Sequence, residues 1–118
     1  MSSFSHDHPY QKRHLEAALT EALVDTPVVC ILGPRQCGKS TLTQHAAPGR
    51  IYVSLDDANS YQLASLDPKG FIGELPEYAT IDEIQRVPEL TQTIKQSVDA
   101  NRRPGRFLLT GSADLLHL

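Results

Sequence analysis

The chain of 118 residues has no tryptophan and a single methionine. Stacking on a nucleic acid would fall to four tyrosines and three phenylalanines, which do not cluster. Positive charge is also scarce. Eleven Lys and Arg stand against 14 Asp and Glu, a net charge of -3, which gives no electrostatic ground for a nucleic-acid partner. No apolar run approaches the ~20 residues of a membrane span. Residues 1–8 are polar and lack the apolar core of a signal peptide. Of the two cysteines, Cys30 lies in an apolar run and Cys37 in a glycine-bounded loop. That placement argues against a disulfide, so a reducing cytoplasm is the expected compartment. The length suits one small domain with one core.

What the chain does have is Gly33-Pro34-Arg35-Gln36-Cys37-Gly38-Lys39-Ser40, which fits G-x-x-x-x-G-K-[ST]. A triphosphate needs many donors at close range. The two glycines let the backbone approach the phosphates, and successive N–H groups form a nest for their oxygens. The positive end of a following helix points at the same anions. Lys39 supplies a cation for the β- and γ-phosphates, and the Ser40 hydroxyl can ligate Mg²⁺. Context agrees: an apolar run at 28–32 precedes the loop and a helix-compatible run at 40–45 follows it.

Apolar residues at 15, 18, 19, 22 and 23 predict a helix opening at Asp7-His8-Pro9 and ending near Val24. Residues 1–8 are expected to be disordered, leaving 9–118 as the domain. The β-branched run at 28–32 predicts a first strand buried on both faces. Further strands are expected at 51–55, 77–81 and 106–110. Helices are expected at 58–66 and from Pro88 to Asn101, with a turn at 67–70 and a helical turn at 71–75. Strands alternating with helices imply an α/β fold with a parallel sheet and helices on both faces.

The third strand delivers Asp82-Glu83 to its C-terminal end, the ligand edge of a parallel sheet. There Asp82 would hold Mg²⁺ through its water shell, and Glu83 would polarise a water for attack on the γ-phosphorus. The fourth strand ends in Thr110-Gly111-Ser112, so either hydroxyl can face that phosphate.

GPRQCGKST at 33–41, YVSLDD at 52–57, IDEIQRVPEL at 81–90 and RPGRFLLTGSA at 103–113 together resemble the AAA+ superfamily. The likeness is greatest to bacterial and archaeal predicted ATPases that carry a C-terminal domain of unknown function. The resemblance implies a P-loop NTPase three-layer αβα sandwich with strand order 2-3-4-1. It implies ATP as the nucleotide, held by residues 33–41 through Thr41. Lys39 and Ser40 are then the Walker A pair, Asp82 and Glu83 the Walker B pair, and Thr110 or Ser112 the first sensor. Family members are much longer. The chain is therefore expected to be an N-terminal fragment without the fifth strand, helical lid and distal arginine finger, which leaves strand 1 as an apolar edge.

Three functions compete at this point. One is Mg²⁺-dependent ATP hydrolysis, completed by missing elements or by self-association or a protein partner. Another is nucleotide binding without hydrolysis. The third is a P-loop small-molecule kinase, for which no lid or acceptor site is visible. Other features read as bland. Cys37 is a small filler, although a thiol beside phosphates is open to oxidation. Arg102, Arg103 and Arg106 make a solvated turn. His6, His8 and His14 lack the partners of a metal site. Asp56-Asp57, also at the ligand edge, is expected to cap the following helix rather than to act near the nucleotide, and the resemblance places Lys12 and Arg13 where family members approach a nucleotide base.

Overall fold

The computed structural model describes residues 3–33, 43–44 and 47–112. The elements are α1 (Ser3–Asp25), β1 (Val28–Gly33), β2 (Ile51–Ser54), α2 (Ala58–Leu66), α3 (Pro68–Gly73), β3 (Ala79–Asp82), a 3-10 turn (Ile84–Arg86), α4 (Glu89–Ala100) and β4 (Phe107–Ser112). The links between strands are too long for hairpins, so the strands pair in parallel. They form one sheet in the order β1-β4-β3-β2, which is the expected 2-3-4-1. Among the described residues no helix is long and apolar enough to cross a membrane.

Local chemistry sets the helix boundaries. Asp57 caps α2 by accepting from the Ser60 N–H at 3.0 Å. The expected turn at 67–70 instead starts a helix. Asp67 accepts from the Gly70 N–H at 3.1 Å, and Pro68 sits in the first turn, where its missing N–H costs nothing. In α4, Leu90, Ile94 and Val98 are buried along one stripe, each contributing about 2 kcal/mol. The Asn101 N–H closes that helix on the carbonyls of Ser97 and Val98. These residues pack with Ala64, Ile72, Ala79, Ile81, Phe107 and Leu109 into the main core. Leu19 of α1 and Leu108 of β4 are buried outside it.

Several expectations are corrected. Helix α1 begins at Ser3, ahead of the expected opening at Asp7-His8-Pro9. Within it Leu19 is buried, but Leu15 is 52% exposed because only part of the stripe meets β1. β1 is not buried on both faces. It lies at the sheet edge, where the expected strand order put it, with Cys30 and Leu32 exposed and its other residues half-buried. Partial burial still pushes the Cys30 thiol up from its ordinary pKa. β3 begins two residues later than expected and takes in Asp82, while β4 runs on through Ser112.

At the N-terminal end of the sheet, Gly105 donates to the Thr26 carbonyl at 2.8 Å with a φ of 75°. A Cβ there would lie 2.8 Å from the Leu23 carbonyl oxygen, so the position demands glycine. Arg106 donates to the carbonyls of Ser97 at 3.1 Å and Asn101 at 3.3 Å, satisfying the end of α4. Arg50 reaches the carbonyls of Gly105 and Arg106. Burial pulls its guanidinium below the ordinary pKa, countered in part by Tyr78. Arg103 pairs with Glu77, and Arg102 with Asp99 at 3.9 Å. The arginine cluster thus closes a turn and ties strand entries together.

Candidate functional site

Parallel register brings the polar strand ends into one line. Ser54 of β2 lies opposite Asp82 of β3. The register of β3 with β4 continues that row to Thr110, which faces Ile31 of β1. Residues abreast in a sheet share a face, so the Ser54 and Thr110 hydroxyls flank the Asp82 carboxylate. Ser54 Oγ donates to Asp82 Oδ2 at 3.2 Å, and Thr110 Oγ1 donates to Asp82 Oδ1. One donor on each oxygen fixes the carboxylate plane and leaves acceptor capacity on both oxygens. Asp82 is 7% exposed and Thr110 is fully buried.

One residue further on, the chain leaves the sheet through a left-handed turn. Glu83 has φ 59° and ψ 48°, the only positive φ among described residues other than glycine. Such a conformation costs a non-glycine residue about 1–2 kcal/mol and is held only by its surroundings. It permits the 3-10 turn that follows, closed by the Arg86 N–H on the Glu83 carbonyl at 3.1 Å. The Glu83 carboxylate, also buried, accepts from Gln85 Nε2 at 2.6 Å. Gln85 Oε1 in turn accepts from the Ser112 N–H at 3.1 Å.

Two buried carboxylates thus stand side by side at the C-terminal edge of the sheet, held by hydroxyls and an amide. Among the described residues neither meets a cation. Buried carboxylates are costly unless a positive charge answers them. Their hard oxygen donors fit a divalent cation such as Mg²⁺ that keeps most of its waters.

Gly33, the first residue of the glycine loop, ends β1 opposite Ser112. The loop therefore leaves the sheet at the edge where Asp82 and Glu83 lie. Pro34, Arg35, Gln36, Cys37, Gly38, Lys39, Ser40 and Thr41 fall outside the described residues. Of the two sensor candidates, Thr110 turns its hydroxyl onto Asp82, whereas Ser112 meets Gln85 through its backbone N–H. Asp56 pairs with Arg86 at 3.2 Å, and Arg86 lies 5.5 Å from the Tyr61 ring centroid. Sequence reasoning missed Ser54 and Gln85. Ser54 stands inside the expected strand 51–55, and only the register with β3 sets it against Asp82. Gln85 has no comparable signal, because its contact depends on the left-handed turn.

A family model described as an AAA domain matches residues 25–118. The chain belongs to this AAA family. Its parallel sheet order is that of a P-loop NTPase, and membership supports a nucleotide-binding, ATPase-like function in general. An uncharacterised protein of Mycobacterium tuberculosis and one of Mycobacterium bovis are each 38% identical to it over 104 residues. That match covers 87% of this AAA domain chain and 24% of each relative. The chain thus spans about a quarter of the length of these curated relatives. No solved structure matches it.

Proposed function

We propose that this AAA domain binds ATP and hydrolyses it to ADP and phosphate with Mg²⁺. The observation that carries the reading is the row of half-buried Ser54 and buried Asp82 and Thr110 with buried Glu83 beside it, one strand away from the end of β1 that feeds the glycine loop. The loop from Gly33 through Thr41 wraps the phosphates with backbone N–H groups, and Lys39 adds its charge at the β- and γ-phosphates. Ser40 and Asp82 would hold Mg²⁺, which when bound neutralises charge that develops on the phosphate oxygens. Ser54 and Thr110 keep the Asp82 carboxylate in a single orientation. Glu83 accepts a proton from water as the water oxygen bonds to the γ-phosphorus. The bond from that phosphorus to the β–γ bridging oxygen breaks, ADP leaves, and the proton passes on to phosphate or solvent. The Ser112 hydroxyl, at the end of β4, completes the polar edge.

Binding of a fluorescent ATP analogue to Lys39→Ala tests the reading. An affinity at least tenfold below that of the unaltered protein is expected. Equal affinity would remove the glycine loop from the site.

A further inference from the structure

Among the described residues, Gln85 joins the two sides of the site. Its Nε2 donates to Glu83 at 2.6 Å and its Oε1 accepts from the Ser112 N–H at 3.1 Å. Only one orientation of the amide serves both partners. Turned over, it would set oxygen against the carboxylate and NH₂ against an N–H. The bridge closes on a half-buried side chain next to a buried carboxylate, where an unmatched polar group is costly.

Gly111 supplies a second, independent sign that the position of Gln85 matters. A Cβ on Gly111 would sit 2.7 Å from Gln85 Oε1, and 3.3 Å from Ile84 Cγ2. The glycine in Thr110-Gly111-Ser112 has no positive φ to explain it. Its missing side chain is the space that the Gln85 amide occupies. Glu83 in its left-handed conformation, Gln85 and Gly111 therefore make one device across β3 and β4.

We infer that Gln85 is a positioning residue that ties the water-activating Glu83 to the end of β4. The inference rests on the proposed hydrolysis for its catalytic meaning. With Gln85 in place, the Glu83 carboxylate keeps one heading, and a shift of the Ser112 backbone is passed to it directly. The hydrogen bonds of Gln85 go to Glu83 and to the Ser112 backbone, so its loss is expected to act on turnover more than on nucleotide affinity.

The test uses Gln85→Met, which keeps the length of the side chain but cannot form either hydrogen bond, and Gly111→Ala, which displaces a Gln85 that is still present. Steady-state ATP turnover is expected to fall at least tenfold in kcat in both variants, with KM for ATP within twofold of the starting protein. In a Glu83→Gln background the same Gln85→Met change should have almost no further effect, because there is no carboxylate left to place. An unchanged kcat, a raised kcat, or a loss that persists in full in the Glu83→Gln background would each overturn the inference. Amide hydrogen exchange at Ser112 reads the bridge without any turnover. Exchange about tenfold faster in Gln85→Met supports the bridge, and an unchanged rate overturns it. Absence of turnover in the starting protein would defeat the hydrolysis reading, and the exchange result would then decide the bridge alone.

Discussion

The two ends of this sheet bury charge in opposite ways. At the N-terminal end, Arg50 and Arg106 direct their guanidinium donors at main-chain carbonyls of Gly105, Arg106, Ser97 and Asn101. Those contacts fix one segment to another. At the C-terminal end, Asp82 and Glu83 are held by the side chains of Ser54, Thr110 and Gln85 and keep acceptor capacity in reserve. Burial of polar groups is common to both ends. What separates them is whether the charged group's bonding is directed at the fold or left open to something else. The first arrangement serves stability, and the second suits a ligand that brings positive charge.

That comparison can be broken by substitutions at either end. The largest effect is expected for Glu83→Gln, which keeps shape and removes the proposed base. Turnover of ATP should fall about 10²–10⁴-fold while nucleotide affinity holds, as measured by steady-state kinetics beside equilibrium binding. A comparable loss of binding would mean that Glu83 serves the ground state. At the other end, Gly105→Ala should act on stability. It forces a Cβ to within 2.8 Å of the Leu23 carbonyl oxygen at a φ of 75°. A cost of about 1–3 kcal/mol is expected in denaturant unfolding, with nucleotide affinity of the folded fraction unchanged. The smallest effect is expected for Arg102→Ala. Its pair with Asp99 is 3.9 Å long, and both side chains are well exposed, so screening leaves under about 0.5 kcal/mol. A loss of nucleotide affinity in that variant would move the arginine turn into the site.

How far these ends could be read from the sequence depended on the range of the physics involved. α2 was legible to the residue, because Asp57 as cap and the helix-forming run to Leu66 are local signals. The stripe Leu90, Ile94, Val98 fixed the inner face of α4 for the same reason. Asp67-Pro68 misled, since the same dipeptide opens a turn or a helix and only the Gly70 N–H decides between them. β1 misled differently. An apolar run states a preference for burial, and the exposure of Cys30 and Leu32 follows instead from the edge position that the expected strand order had already given it. At the site, Asp82 and Glu83 announced themselves as an acidic pair after an apolar run. Ser54 did not, because its relation to Asp82 is a matter of register between strands far apart in sequence. Gln85 stayed hidden behind a backbone conformation that nothing in IDEIQ foretells.

The left-handed Glu83 turn has a consequence for how such a domain changes over generations. Glycine would relax this corner, removing about 1–2 kcal/mol of backbone strain, less its greater loss of freedom on folding. A population selected for heat tolerance alone can reach Glu83→Gly in a single codon change. The same step deletes the carboxylate. Persistence of glutamate at a corner that favours glycine would therefore be a record of use, readable in any lineage where the neighbouring turn keeps its shape.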